Sequence, residues 1–350
     1  MKKNRSNSAV VDLFCGIGGL SYGFMQEDFD IKGGIDIDKS CKYSYENYVK
    51  AKFITEDLSQ VSSAFIASLF PLNKTRIIVG CAPCQAFSTY SQKYRDNDKW
   101  KLLYTFGRII KDIEPEIISM ENVPNLKNYQ DGKVLKDFLQ ILKKHKYYIT
   151  WQTVNVSDYG VPQNRKRLIL FASKFNELHL LEPTHSNKKI TVRKAIGHLP
   201  PLKDGEISKK DLLHRARRLS PINKKRILAT PEGGSWKDWP ENLKLECHKK
   251  ESGKSFGSVY GRMSWNSIAP TITTQCTGLG NGRFGHPSQN RAMSIREAAI
   301  FQSFPKSYKL YDPSKPISYP NIEEHIGNAV PVKLGRIIAK SIKNHLQENG

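Results

Sequence analysis

Short β-branched runs alternate with segments of helical periodicity over the first 180 residues, and this alternation constrains the fold more than any other feature. Helix-face spacing of apolar residues marks Leu102–Ile113 and Val134–Leu142. The runs that predict strands are Val10–Phe14, Ile31–Ile37, Ile77–Val79, Glu116–Met120, Tyr148–Val156 and Leu168–Ala172. Strands that alternate with helices in this way predict an α/β fold with a doubly wound, mostly parallel sheet.

The sequence changes character from about Glu182, where it becomes rich in Pro, Gly, Lys and Trp and loses its periodicity, as in Pro231–Trp236. Helical periodicity returns at Ser294–Phe301 and at Val332–Ile342. Irregular sequence of this kind is typical of a separate, loop-rich module. We therefore expect an α/β domain over residues 1–180, a smaller loop-rich insertion over 181–291, and a segment over 292–350 that returns to complete the first domain.

Positive charge is concentrated in the middle of the chain. The formal net charge is +22, and residues 185–260 carry 18 Lys and Arg against 8 Asp and Glu, a net +10, whereas residues 1–184 carry 26 against 20, a net +6. Such an excess predicts a polyanionic partner. A membrane surface is disfavoured because the basic runs Arg215–Arg218 and Lys224–Arg226 are separated by Ser220–Pro221 and form no long amphipathic repeat. Nucleic acid is the favoured partner.

Cysteine usage and hydropathy predict a cytoplasmic protein. The six cysteines show no disulfide-framework spacing, which favours a reducing compartment. The N-terminus is polar, without the apolar stretch of a signal peptide. No apolar run approaches the roughly 20 residues that a membrane-spanning helix needs.

A glycine-rich turn follows the first predicted strand and contains Gly16, Gly18 and Gly19. Glycines at such a turn let a ligand approach the backbone closely, and Asp36, 20 residues after Gly16, is spaced to accept hydrogen bonds from ribose hydroxyls. An adenosine-containing cofactor is predicted. NAD remains open at this point but is weakened, because Ser21 stands where a dinucleotide fingerprint has its third glycine.

Cys84 lies in a loop that directly follows the predicted strand Ile77–Val79. A thiol at a strand end is placed for nucleophilic attack, whereas most free cysteines are small buried hydrophobes. Cys81 and Cys84 also form a CxxC pair. Zinc is disfavoured because no second pair of ligands with the right spacing is present, and a redox role would not need the neighbouring nucleotide turn. We therefore predict a nucleophile and no metal.

Two further segments supply polar groups at strand ends. Glu121–Val123 follows the predicted strand Glu116–Met120, so its carboxylate is expected to share a crevice with Cys84 and to donate a proton or a hydrogen bond there. Gln163–Arg167 precedes another strand, and alternation in an extended segment lets one arginine face the crevice while the other faces a salt bridge or a phosphate. Glu121 or Arg167, if either occurred alone, would more often form a surface salt bridge.

These segments occur in the same order as the motifs of a known family, over nearly the full length of the chain. They are Asp12–Gly19, Pro83–Gln85, Glu121–Val123, Gln163–Arg167, Arg296–Ala299 with Gln302–Pro305, and Gly327–Pro331. On these residues the chain resembles the cytosine-5 DNA methyltransferases of prokaryotic restriction-modification systems. The resemblance implies a Rossmann-like methyltransferase fold in which residues 181–291 form a target-recognition domain.

The resemblance also implies S-adenosylmethionine as the cofactor. Phe14 would then lie against the adenine, Asp36 would bind the ribose and Asp57 would lie near the adenine amino group. Ile37 stands where many relatives have a larger apolar residue, which would weaken adenine stacking. The full set of implied cofactor-binding residues is Asp12, Phe14, Gly16, Gly18, Gly19, Asp36, Ile37, Asp57, Pro83, Asn328 and Ala329.

For catalysis, the resemblance implies covalent attack by Cys84 on C6 of a flipped-out cytosine, with Glu121 at N3 and Arg167 at O2. Asn122 would orient the Pro83–Cys84 loop, and Arg165 completes the implied catalytic set. The implied partner is double-stranded DNA, bound by a monomer, with a restriction endonuclease as a functional partner that need not touch it. Two alternatives remain, a tRNA cytosine-5 methyltransferase and a non-catalytic, cofactor-gated DNA-binding protein. The length and basicity of residues 181–291 favour DNA.

Overall fold

The computed structural model describes residues 7–83 and 98–349, and the chain divides into two compact units. The first comprises residues up to Tyr159, Lys166–Thr184 and residues from Ala329 onward. The second comprises Gly160–Arg165 and His185–Asn328. The second unit thus includes residues 292–328, and within it Arg296 forms an ion pair of 2.6 Å with Asp211.

The first unit is built on a seven-stranded sheet of order β3-β2-β1-β4-β5-β7-β6. The strands are β1 Ser8–Leu13, β2 Asp30–Asp36, β3 Lys52–Thr55, β4 Thr75–Gly80, β5 Ile117–Asn122, β6 Tyr148–Asn155 and β7 Lys166–Ser173. β7 runs antiparallel to both of its neighbours, whereas β1 to β5 pair in parallel. The predicted doubly wound, mostly parallel sheet is therefore confirmed.

Helices cover this sheet, and three of them, α4, α5 and α12, lie where the apolar periodicity predicted a helix. They are α1 Gly19–Gln26, α2 Lys42–Tyr48, α3 Ser63–Ser68, α4 Leu102–Ile113, α5 Lys133–Lys144 and, at the end of the chain, α12 Val332–Asn349. α4 ends where Glu114 adopts a left-handed conformation before Pro115. α12 packs closely on α1, since a Cβ placed on Gly23 would overlap the backbone nitrogen of Arg336.

The register of the sheet brings several strand ends to one edge. Leu13 of β1 pairs with Ile35 of β2 and with Gly80 of β4, and Gly80 pairs with Met120 of β5. The strand order reverses between β1 and β4, which makes this place the topological switch point of the sheet. Ligands of open α/β sheets bind at the carboxyl ends of the strands beside such a point. The segments after β1, β2, β4 and β5 are therefore placed to form a site.

The second unit contains little regular structure, in accord with its irregular sequence. Its elements are α6 Val192–Ile196, β8 Ile207–Ser208, β9 Asp211–Arg215, α7 Pro221–Leu228, α8 Glu246–Lys249, α9 Glu251–Lys254, α10 Ile295–Phe301 and α11 Tyr319–Asn328. Small apolar clusters hold the loops together, one of them formed by Trp236, Trp239 and Leu243. Among the residues that the structure describes in either unit, no helix is both long enough and apolar enough to cross a membrane.

Candidate active site

The turn after β1 is sharply folded. Phe14, Gly16 and Gly18 have φ angles of 62°, 49° and 84°, and Gly18 immediately precedes α1. A Cβ on Gly16 would meet no atom of the other described residues, its chain neighbours aside, within 4 Å, so the space on this side is open within the described part of the chain. At Gly16 and Gly18 the positive φ angles favour glycine, and the open space beside Gly16 allows a ligand to approach the backbone.

Asp36, at the end of β2, is fixed against this turn. Its Oδ2 accepts a hydrogen bond of 2.8 Å from the Gly16 backbone nitrogen, and its Oδ1 accepts one of 2.9 Å from Asp38. The next side chain, Ile37, is apolar and yet 68% exposed. Phe14 is half-buried with its ring edge against Phe106. A fixed carboxylate beside two accessible apolar side chains is an arrangement that suits a ribose joined to an aromatic base.

Asp57 follows β3, near the same edge of the sheet. The backbone oxygen of Asp36 accepts a hydrogen bond of 3.2 Å from Glu56, which brings the ends of β2 and β3 together. The half-buried Asp57 carboxylate accepts a hydrogen bond of 2.9 Å from the Ser59 backbone. Its place next to Asp36 is compatible with the predicted contact to the adenine amino group, which stays a prediction.

Asp12 lies beneath the turn. Its side chain is buried and accepts a hydrogen bond of 2.5 Å from Ser21 of α1, whose hydroxyl also lies 2.9 Å from that of Tyr45. Burial raises the pKa of Asp12 to about 7, although the hydrogen bond from Ser21 lowers it. The side chain is positioned to join β1 to α1, and Gly19, the first residue of α1, is buried too.

Glu121 and Arg167 form a buried ion pair. Glu121 is 2% exposed and Arg167 7%, and Arg167 Nε lies 2.8 Å from Glu121 Oε1. The two meet because β7 runs antiparallel to β5, so that the start of β7 lies beside the end of β5. Within the described residues, Oε1 accepts no aligned hydrogen bond. A buried carboxylate oxygen without one is costly, and such atoms call for an explanation such as a ligand.

The segment after β4 contacts the same carboxylate. Cys81 donates a hydrogen bond to Glu121 Oε2, with Sγ and Oε2 2.8 Å apart. Asn122 donates to the backbone oxygen of Ala82 at 3.1 Å, which ties the end of β5 to this segment. Pro83 follows and is half-buried. Cys84, the predicted nucleophile, lies outside the described residues, so the structure gives only the position of the chain that leads to it.

The remaining predicted site residues belong to the second unit or directly follow it in the sequence. Arg165 is buried there, and its guanidinium donates to the backbone oxygens of Ile272 and Gly327 at 2.8 and 3.1 Å. These bonds give Arg165 a role in joining the segment at Ile272 to the end of α11, and a catalytic role for it stays a prediction. Asn328 is exposed at the end of α11, and the half-buried Ala329 begins the last segment of the first unit. Their cofactor contacts also stay predictions.

Two features escaped the sequence reasoning. Cys81 was interpreted only as half of a CxxC pair, and its contact with Glu121 depends on the register of β4 and β5. The buried pair of Arg291 and Glu297 was not anticipated, although the spacing of Ser294 and Glu297 before an apolar run is the signal of a helix capping box, which the structure contains.

Comparison with solved structures identifies the fold. A crystal structure of a DNA modification methyltransferase encoded within an Escherichia coli prophage superposes with a TM-score of 0.75 at 22% identity, covering 97% of this chain and 99% of that one. A DNMT2 structure from Spodoptera frugiperda superposes with a TM-score of 0.65 at 18% identity, covering 96% and 99%. At these identities the likeness shows a Rossmann-like methyltransferase fold.

The family follows from the sequence comparisons. The model of the C-5 cytosine-specific DNA methylases matches residues 8–344. The Type II methylase M.HgiDII of Herpetosiphon aurantiacus is 51% identical over 97% of this chain and 96% of its own length. The Type II methyltransferase M1.HphI of Haemophilus parahaemolyticus is 29% identical over 95% and 86%. The chain belongs to the C-5 cytosine-specific DNA methylase family and is a DNA cytosine-5-methyltransferase of the Type II restriction-modification kind.

Proposed function

We propose that this enzyme methylates C5 of a cytosine flipped out of a specific short duplex sequence, with S-adenosylmethionine as the methyl donor and Cys84 as the covalent nucleophile. The observation that carries the proposal is the buried pair of Glu121 and Arg167 at the strand ends, where one carboxylate oxygen accepts no aligned hydrogen bond from the described residues. A flipped cytosine offers groups that match this pair, since N3 pairs with a carboxyl group and O2 with a guanidinium.

The turn after β1 fits the adenosine part of the cofactor. Gly16 leaves open space beside the backbone, Asp36 is a fixed acceptor for ribose hydroxyls, and Phe14 and Ile37 offer apolar surface to the adenine. Asp57 would receive the adenine amino group. When bound, S-adenosylmethionine supplies the electrophilic methyl group that the activated C5 takes up.

The protein activates C5 through C6. The Cys84 thiolate adds to C6, and the electron pair of the C5–C6 double bond moves toward C5. Glu121 stabilises this step by protonating or hydrogen-bonding N3, while Arg167 holds O2. After methyl uptake, loss of the C5 proton restores the double bond, breaks the S–C6 bond and returns Cys84. Asn122 supports the nucleophile through its hydrogen bond to Ala82, two residues before it.

Duplex DNA must open for this chemistry, because the edges of a stacked cytosine cannot reach buried groups. Extrusion of one base costs a few kcal/mol, which contacts in the pocket offset. The basic excess over residues 185–260 provides attraction to the phosphates. We propose that residues 181–291 select the sequence that is methylated and that the enzyme acts as a monomer, with a restriction endonuclease as its functional partner.

Methyl transfer from labelled S-adenosylmethionine tests the proposal. Purified enzyme is incubated with duplex DNA or with tRNA, and the nucleosides are separated after digestion. We expect label in 5-methylcytosine from duplex DNA. Label in tRNA alone, or in a base methylated on an exocyclic nitrogen, would contradict the proposal. Grafting residues 181–291 onto a related methyltransferase should move the methylated sequence to that of this enzyme, and an unchanged sequence would show that this region does not select it.

A further inference from the structure

Two arginines of the second unit are candidates for reading a base, Arg262 and Arg283, and the structure separates them. Arg262 is 4% exposed. Its guanidinium donates to the backbone oxygens of Thr230, Ile227, His286 and Gln289 and to the side chain of Asn290, at 2.6 to 2.9 Å. With its three nitrogens engaged inside the unit, Arg262 is a structural residue and leaves no donor for DNA.

Arg283 is held differently. It is half-buried, and one nitrogen, Nη1, donates to the backbone oxygens of Gly233, Gly234 and Arg262 at 2.5, 2.7 and 3.2 Å. Nε and Nη2 form no hydrogen bond or ion pair with the residues that the structure describes, and neither is a buried unpaired atom. Both of these donors are therefore accessible from solvent.

The free edge of Arg283 has the chemistry of a base-reading group. Nε–H and Nη2–H point in parallel and form the two-pronged edge that binds a pair of acceptors. O6 and N7 of guanine are such a pair in the major groove. Anchoring Nη1 to three carbonyls restricts the side chain before DNA binds, which reduces the conformational entropy lost on binding.

We propose that Arg283 is a specificity-determining residue that contacts a guanine of the recognition sequence through Nε and Nη2. The inference rests on the proposed function and names one residue of its recognition step. A guanine suits Arg283 better than a phosphate because the anchored side chain presents its donors at one fixed place, whereas phosphate contacts tolerate mobile side chains and carry no sequence information.

Sequencing of 5-methylcytosine in DNA from cells that express each variant tests the inference. In Arg283→Gln, we expect methylation at the wild-type motif to fall roughly 5- to 150-fold relative to sites that differ at one guanine, corresponding to one bidentate contact. The motif should become degenerate at that position. Lys225→Gln removes one exposed positive charge of α7 and is the charge-matched control, which should retain the motif.

Arg283→Lys guards against a variant that fails to fold, because lysine keeps the charge and a donor for the carbonyls but lacks the two-pronged edge. It should also lose discrimination at the same guanine. If both variants methylate the wild-type motif with a uniformly lower rate, Arg283 contacts a phosphate or only supports the loops, and the inference is wrong. A wild-type enzyme that methylates no cytosine would instead contradict the proposed function itself.

Discussion

The described residues contain two buried pairs of glutamate and arginine, one in each unit, and the hydrogen bonds that each glutamate receives differ. Glu297 accepts two hydrogen bonds from the guanidinium of Arg291, at 2.6 and 2.9 Å, and a third of 2.7 Å from the Ser294 backbone nitrogen. Burial acts to raise the pKa of Glu297, but the hydrogen bonds from Arg291 hold it below its ordinary value. Glu121 instead has one ion-pair contact to Arg167 and one thiol donor, Cys81.

Equal burial therefore does not imply an equal role. The carboxylate of Glu297 has donors on both oxygens, as expected of a group that stabilises the start of α10. Glu121 retains acceptor capacity at a strand end, the place where ligands of such sheets bind. We infer that hydrogen-bond saturation, rather than burial, separates the structural pair from the pair that we propose to be catalytic.

The largest effect on stability should follow from Glu297→Gln. This substitution removes one charge of a fully paired, buried couple and leaves Arg291 without its counter-ion, which should cost about 3 to 5 kcal/mol of unfolding free energy. Denaturant unfolding measures the change. Glu121→Gln is the matched control and should lose clearly less, because fewer hydrogen bonds depend on that carboxylate. Equal losses would break the distinction between the two pairs.

Asp12 is a third buried carboxylate, and no cation is among the groups that shift its pKa. Its titration should make the free energy of unfolding depend on pH. Its pKa of about 7 lies above the value of about 3.9 for an unfolded aspartate, so the folded chain holds a proton that the unfolded chain releases. The contribution of Asp12 to the free energy of unfolding is therefore fully present below about pH 4 and is lost as the pH rises through 7. The total loss is up to about 4 kcal/mol.

Asp12→Asn tests this dependence, because the amide is neutral at every pH and can still accept from Ser21. The melting temperature of the variant should rise relative to the wild type as the pH increases from 4 to 8. A difference that stays constant over this range would show that Asp12 does not titrate there.

Glu121→Gln should reduce the chemical step by roughly 10² or more, because N3 loses its proton donor during attack at C6. Single-turnover rates at saturating cofactor and DNA measure this step. Lost cofactor affinity with an unchanged rate at saturation would place Glu121 in a different role.

The smallest of these effects concerns Cys81, whose thiol holds Glu121 Oε2. Cys81→Ser keeps a hydroxyl donor and should be tolerated, whereas Cys81→Ala removes one hydrogen bond of about 1 kcal/mol, roughly fivefold in the single-turnover rate. Equal rates for the two variants would mean that the thiol only fills space. Equal and severe losses would favour a metal or redox function of the CxxC pair.

The sequence predicted the sheet well because buried strands leave continuous apolar runs, as in Ile77–Val79. β3 was not predicted, because only Phe53 and Ile54 of its four residues are buried. The positions of Glu121 and Arg167 at strand ends predicted that both side chains face one crevice. Their ion pair could not be predicted, because it depends on the antiparallel course of β7.

The roles of the basic residues in the second unit, in contrast to the strands, could not be predicted from the sequence. Arg262 and Arg283 look alike in the chain, and the basic run Lys224–Arg226 looks like a phosphate-binding cluster. Contacts with segments distant in sequence separate its members: Arg226 is buried between Trp239 and Tyr260 and donates to the Leu243 backbone oxygen, whereas Lys224 and Lys225 are exposed. Only tertiary packing reveals which guanidinium retains donors for DNA.

Duplex DNA with 5-fluorocytosine at the methylated position gives a direct test of the covalent attack that we propose for Cys84. Fluorine at C5 leaves no proton to remove after methyl uptake, so the S–C6 bond cannot break and the enzyme stays attached to DNA. We predict a complex that survives denaturing electrophoresis, maps to the peptide containing Cys84 and is absent in Cys84→Ser. If an active enzyme forms no such complex, or forms it through another residue, Cys84 is not the nucleophile.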